Sequence, residues 1–260
     1  MSNTPDVLAL DFDGVICDGL AEYFASSKLA YQQIWSQEVG DRLQESFNRL
    51  RPVIETGWEM PVLLRALALG IGEDEILADF QAIALKIIES AQLKPQTLVQ
   101  ALDHSRDSWI KGDVASWLGL HRFYPGVIEQ LKRSLEQGVT VYIVTTKEGR
   151  FAHQLLQQQG ISLPPGQIMG KESKRPKYET LRILRSQHQQ ANGQLRMFFV
   201  EDRLPALQLV AQQPDLDFVD LFLADWGYNL AGDRTFAVQD QRINLLSLEN
   251  FASDFTDWKA

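Results

Sequence analysis

Cysteine is nearly absent from the 260 residues: Cys17 stands alone, so the chain cannot close an intramolecular disulfide. A small, disulfide-stapled secreted scaffold is thereby excluded. Long hydrophobic runs are missing as well. Val7–Leu10 and Val139–Val144 fall far short of the roughly 18 consecutive apolar residues that suggest a membrane span. The start, MSNTPDVLALD, has neither a basic stretch nor the long apolar one of a secretory leader. The expected setting is a reducing cytoplasm, with no membrane partner. Excess positive charge is lacking too: 25 basic against 34 acidic side chains give a formal charge of −9. That balance argues against nucleic acid, whose binders usually carry a basic surface or stripe. No stretch combines low hydrophobicity with high charge, so nothing points to disorder.

What is present is an ordinary globular composition, 45% hydrophobic, 10% aromatic and 23% charged. At about 150 residues per domain, the length suits one large domain or a core with a smaller insertion. Texture favours the second. Short apolar runs ending in polar residues occur at both ends of the chain: Val7–Leu10 into Asp11-Phe12-Asp13-Gly14, Val139–Val144 into Thr145-Thr146-Lys147, and Met197–Val200 into Glu201-Asp202, with Phe218–Leu223, followed by Ala224-Asp225, as a fourth candidate strand. Such runs suit strands covered on both faces, as in a parallel sheet. Helical spacing fills the gaps, with Ile128, Leu131 and Leu135; Phe151, Leu155 and Leu156; Tyr178, Leu181 and Leu184; and Leu204, Leu207 and Val210. Alternation of this kind predicts an α/β fold with a doubly wound, Rossmann-like parallel sheet.

Residues 20–118 have almost no strand pattern. Ala21–Trp35, Asp41–Leu50, Pro61–Leu69, Glu73–Ser90 and Pro95–Ile110 read as amphipathic helices, separated by turns at Gly40, Arg51-Pro52, Gly70-Ile71-Gly72 and Lys111-Gly112-Asp113. The expected organisation is a discontinuous core, 1–19 and 119–260, interrupted by an all-helical domain at 20–118.

Ligands of open α/β sheets bind beyond the carboxyl ends of the strands, so the polar residues there are the candidates for a site. Asp11 and Asp13 leave an extended backbone on the same side. Two converging carboxylates require a cation, a shared proton or a solvated turn. Glu201-Asp202 repeats the acidic pattern, and its plainer reading is a helix cap. Together the two acidic pairs offer the hard oxygen ligands that Mg²⁺ prefers. Thr145, with the following backbone N–H groups, is placed to hold a phosphate oxygen, although threonine is also a common strand and cap residue. Lys177 opens a predicted helix, where a cation opposes the dipole. Lys171 and Lys174 compete with it for the same role.

These residues, in this order, resemble the haloacid dehalogenase superfamily of phosphohydrolases, in its phosphoglycolate phosphatase-like members with a helical cap inserted after the first strand. Asp11-Phe12-Asp13-Gly14-Val15 is similar to the nucleophile motif, Val144-Thr145-Thr146-Lys147 to the second motif, Lys177 to the lysine, and Val200-Glu201-Asp202 to the acidic motif. The resemblance implies a phosphatase acting on a small phosphorylated metabolite, as a monomer or homodimer. By it, Asp11 is the nucleophile, Asp13 the acid and base, and Thr145, Thr146 and Lys177 the phosphate-binding residues. Mg²⁺ is held by Asp11, Asp13 through its carbonyl, and Asp202, with Glu201 direct or one step removed. Many relatives carry a second acid four residues after the acidic motif's aspartate; Ala206 stands there, and Glu201 is the substitute. Dehalogenation is disfavoured, since that branch uses no metal and lacks the second aspartate. Arg51, Glu55, Trp58 and Glu59 are candidates for substrate contact, against the plainer reading of a solvated loop anchored by Trp58. The competing functional class is a catalytically silent protein that keeps the fold for binding or regulation.

Overall fold

A computed structural model describes residues 4–188 and 195–259. The chain divides into two compact units, Met1–Asp18 with Phe123–Ala260, and Gly19–Arg122. Along the chain the strands are β1 (Val7–Leu10), β2 (Cys17–Asp18), β3 (Arg122–Phe123), β4 (Thr140–Val144), β5 (Ile168–Met169), β6 (Met197–Glu201), β7 (Val219–Ala224) and β8 (Ile243–Leu246). The α-helices are α1 (Leu20–Trp35), α2 (Gln44–Leu50), α3 (Glu59–Ala68), α4 (Glu73–Ser90), α5 (Pro95–Leu118), α6 (Val127–Glu136), α7 (Gly149–Gln158), α8 (Lys177–His188), α9 (Leu204–Ala211), α10 (Ala231–Gln239) and α11 (Leu248–Phe251).

The first unit holds a six-stranded sheet in the order β5-β4-β1-β6-β7-β8, with parallel pairing throughout. The expected α/β doubly wound architecture is what forms. Side chains alternate across the pleat. Val7, Ala9, Met197, Phe199, Leu221 and Leu223 face Leu181 and Leu184 of α8 and Leu204, Leu207 and Val210 of α9. On the other face Phe198 and Phe222 meet Trp258, with ring centroids 5.8 and 5.4 Å away, and Phe251 stacks on the same indole at 5.0 Å. Because both faces are covered, β1, β4 and β6 needed no polar alternation, and their apolar runs made them readable; β7 carries the half-buried Asp220 within its run.

Register fixes what lies at the sheet's edge. Leu10 is level with Ile143 on one side and Val200 on the other. The residues one step further along, Asp11, Val144 and Glu201, therefore share one row at the carboxyl ends of three neighbouring strands. Two edges of the expected pattern differ. Glu201 is the last residue of β6 rather than the first after it, and β7 is Val219–Ala224, one residue later than the apolar run suggested.

The second unit is helical, with two corrections. Asp79 has φ −159° inside α4, and Asp113 has φ −154° inside α5. Each aspartate accepts a hydrogen bond three residues on, from Ala82 N and Ser116 N, both at 3.0 Å. The side chain thus caps a new helical start, which is how a helix continues past a break. The turn expected at 111–113 becomes this kink, and α5 runs on to Leu118. The stretch expected as a helix from Asp41 begins instead with a 3₁₀ turn, Asp41–Leu43. The unit also buries a charge: Glu22 is fully inaccessible and accepts from Arg106 Nε and Nη2 at 2.8 Å each, from Trp117 Nε1 at 3.1 Å and from the Ser26 hydroxyl. A bidentate guanidinium with further donors is the arrangement that lets a carboxylate remain charged inside a protein.

Candidate active site

Asp11 follows the fully buried strand Val7–Leu10 and is itself buried. Its Oδ1 accepts from Phe12 N at 2.7 Å, and its Oδ2 lies 3.0 Å from Lys177 Nζ. Lys177 is the first residue of α8. Its ammonium also donates to Glu201 Oε2 at 2.5 Å, so it bridges the nucleophile candidate and the acidic motif. Of the three competing lysines it alone is drawn in; Lys171 and Lys174 are exposed. The helix dipole that made a lysine there unexpected is offset by these two carboxylates.

Asp202 is positioned by a loop. Tyr228 N donates to its Oδ2 at 2.8 Å, and Asn229 Nδ2 donates to its carbonyl at 3.1 Å and to that of Ala224 at 2.7 Å. Two glycines make room for it. Gly14 has φ +86°, and a Cβ there would sit 2.2 Å from Asp202 Oδ2; one on Gly227 would sit 2.2 Å from Asp202 Cβ. Neither approach is open to a larger residue. Glu201 spends its second oxygen on Asp202 N and Arg203 N, at 3.2 and 3.0 Å.

Asp11, Glu201 and Asp202 each present an oxygen within 4.8 Å of the others, and all three are buried. Burial pushes Asp11 up to about 7 against the pull of Lys177, and pushes Glu201 to about 7 as well. Asp202 is raised by burial and then by the charge of Asp11. For Lys177 burial favours the neutral amine, but Asp11 and Glu201 outweigh it and the pKa rises. Three carboxylates facing one ammonium leave two negative charges uncompensated when all are ionised. Hard oxygen donors with an unbalanced charge of that size fit a divalent cation.

Asp13 is arranged differently. Both of its carboxylate oxygens accept from Lys147 Nζ, at 3.1 and 3.3 Å, and its side chain is not among the three clustered ones. Thr145 is buried, and its hydroxyl accepts from Lys147 N at 3.1 Å. Thr146 is exposed. The remaining candidates lie in the helical unit. Arg51 packs over the Tyr23 ring at 5.1 Å and donates to Ile54 O at 3.1 Å. Glu59 is buried and occupied, accepting from Glu55 N and Thr56 N at 2.6 and 2.8 Å and from Gln81 at 2.8 Å. It closes the turn that starts α3. Glu55 is exposed and Trp58 half-buried.

No family model and no curated protein matches the chain. Solved structures do. A predicted phosphoglycolate phosphatase from Haemophilus somnus is 15% identical over 99% of this chain and 97% of its own, with a TM-score of 0.57. A haloacid dehalogenase-like family hydrolase from Streptococcus pneumoniae is 14% identical over 93% and 94%, again at 0.57. A predicted phosphatase from Clostridium acetobutylicum is 13% identical over 95% and 96%, at 0.56. This chain has the haloacid dehalogenase-like fold.

Two parts of this fold's site were not picked out from sequence. The loop Asp225–Asn229, whose backbone and Asn229 hold Asp202, has neither an acidic pair nor an apolar period to mark it. The grip of Lys147 on Asp13 went unread, because a lysine two residues past a strand-end threonine has no periodicity to mark it.

Proposed function

We propose that the protein is a magnesium-dependent phosphatase that hydrolyses a small phosphate monoester through an aspartyl-phosphate on Asp11. The observation that carries this reading is the convergence of three buried carboxylates, Asp11, Glu201 and Asp202, with the ammonium of Lys177 at the carboxyl ends of neighbouring strands. The phosphatase names of structures sharing the fold support it. The α/β unit carries the chemistry, and the helical unit supplies substrate choice.

In the first step an Asp11 oxygen attacks phosphorus, the ester P–O bond breaks, and the departing oxygen takes a proton from Asp13. In the second, Asp13 takes a proton from the water that attacks the aspartyl-phosphate, the Asp11–phosphorus bond breaks, and inorganic phosphate leaves. Each displacement is easier than one direct hydrolysis. Lys177, Thr145 and Thr146 bind phosphoryl oxygens, and Lys177 holds Asp11 in place. Asp11, Glu201, Asp202 and the Asp13 carbonyl hold Mg²⁺, which supplies positive charge against the phosphoryl oxygens. A reducing cytoplasm and a soluble phosphorylated metabolite complete the proposal.

Purified protein incubated with a panel of phosphate monoesters releases phosphate from at least one of them with Mg²⁺ and from none with EDTA. Phosphate release from no member of the panel means a silent, binding or regulatory protein. A second expectation concerns stability. The Asp11 and Glu201 pKa values are raised above their unfolded values, to about 7. Between those limits the folded state holds more protons than the unfolded one. The associated stability is complete in acid and is lost as pH rises through about 7. Without metal, the melting temperature falls by several degrees between about pH 5 and pH 8.5. Mg²⁺ binds the deprotonated ligands and restores it mainly at the alkaline end. A Mg²⁺ shift equal at both pH values would place the ion elsewhere.

A further inference from the structure

Two lysines divide the first motif between them. Lys177 holds Asp11, while Lys147 reaches Asp13 from the end of β4 and meets both carboxylate oxygens, at 3.1 and 3.3 Å. We propose that Lys147 is a positioning residue for proton transfer, fixing the Asp13 carboxyl at the leaving-group oxygen; the inference rests on the phosphatase reading above. Lys147 is itself over-determined. Its backbone N–H donates to Thr145 Oγ1 at 3.1 Å, its carbonyl accepts from Lys171 N at 2.9 Å, and its side chain is 8% exposed. Gly170 lies so close that a Cβ there would come within 2.6 Å of the Lys147 carbonyl. The ammonium stands 6.0 Å from the centroid of the Phe12 ring, between the two aspartates in sequence. A carboxyl seized through both oxygens by a pinned ammonium cannot swing about its χ angles. Precise placement is what a group moving a proton within one hydrogen bond requires.

The position of Asp13 matters in proportion to how badly the leaving oxygen needs a proton. A p-nitrophenolate leaves without help; a p-methoxyphenolate, and still more an alkoxide, does not. A lysine that merely supported the fold would affect all of them alike. The experiment compares wild type, Lys147→Met and Lys147→Arg on a series of aryl phosphates from p-nitrophenyl to p-methoxyphenyl, with saturating Mg²⁺ and kcat and KM measured separately. Methionine keeps an unbranched apolar side chain of similar length and removes the ammonium together with its hydrogen bonds to Asp13.

For Lys147→Met the expected loss of kcat/KM, which reports the leaving-group step and not the shared hydrolysis of the aspartyl-phosphate, is under ~5-fold on p-nitrophenyl phosphate and ~100-fold on the p-methoxy compound. Arginine, which also presents paired donors, restores most of it. A loss of kcat/KM equal across the series, or no loss, overturns the inference while leaving the phosphatase reading intact. A wild type inactive on this series and on the wider panel overturns both.

Discussion

Asp11→Asn abolishes turnover, by on the order of 10⁴-fold or more, without unfolding the protein. The amide is nearly isosteric with the carboxyl, so Phe12 N still finds an oxygen acceptor where it now has one at 2.7 Å. Lys177 keeps Glu201 as its partner. What disappears is the nucleophile, and with it one of three buried negative charges. The two consequences separate in the measurement. Activity vanishes on every phosphate monoester, while the metal-free protein at alkaline pH melts no lower than wild type, because like-charge repulsion with Glu201 and Asp202 has been reduced. The Mg²⁺-induced rise in melting temperature shrinks, since one ligand has lost its charge. Substantial residual turnover would assign the nucleophile to another residue. Loss of activity accompanied by a collapsed melting transition would instead mean that Asp11 holds the fold together.

How much of this arrangement could be read from the sequence depends on whether a contact leaves a local trace. The strands β1, β4 and β6 did, since cover on both faces leaves them predominantly apolar, and β7 did in spite of the half-buried Asp220 inside it. The edges β5 and β8 did not. Ile168–Met169 is two residues long, and Ile243–Leu246 carries Asn244 in a half-buried edge position, so neither has the length or the hydrophobicity to stand out. Asp11, Glu201, Asp202 and Lys177 were legible because polar residues at buried strand ends and a lysine at a helix start are locally anomalous. Lys147 to Asp13, Tyr228 to Asp202 and Arg106 to Glu22 are pairings between residues far apart in the chain, and no spacing announces them. Glu59 shows the converse. As an acid in a cap loop it suggested substrate contact, but its oxygens are taken by two backbone N–H groups and Gln81.

Lys177→Ala carries the other large effect, and magnitudes decide its sign. At the first position of α8 an ammonium costs a few tenths of a kcal/mol against the helix dipole, which alanine would recover. Against that stands the loss of the ammonium that contacts both Asp11 and Glu201, in a cluster of three buried carboxylates. Breaking a buried ion pair by removing one partner costs about 3–5 kcal/mol, so the charge effect outweighs the dipole roughly tenfold. Metal-free Lys177→Ala should therefore unfold well below wild type at about pH 8.5 and come much closer to it at about pH 5, where the carboxylates are protonated and need no counter-charge. Mg²⁺ recovers part of the alkaline loss of stability but not turnover, because the ammonium that positions Asp11 and contacts the phosphoryl group is gone. Lys171→Ala and Lys174→Ala change an exposed residue each and should stay within about 0.5 kcal/mol of wild type. Thermal melts at both pH values, with and without Mg²⁺, together with phosphate release, test the assignment; a larger loss for either exposed lysine would move the motif away from Lys177.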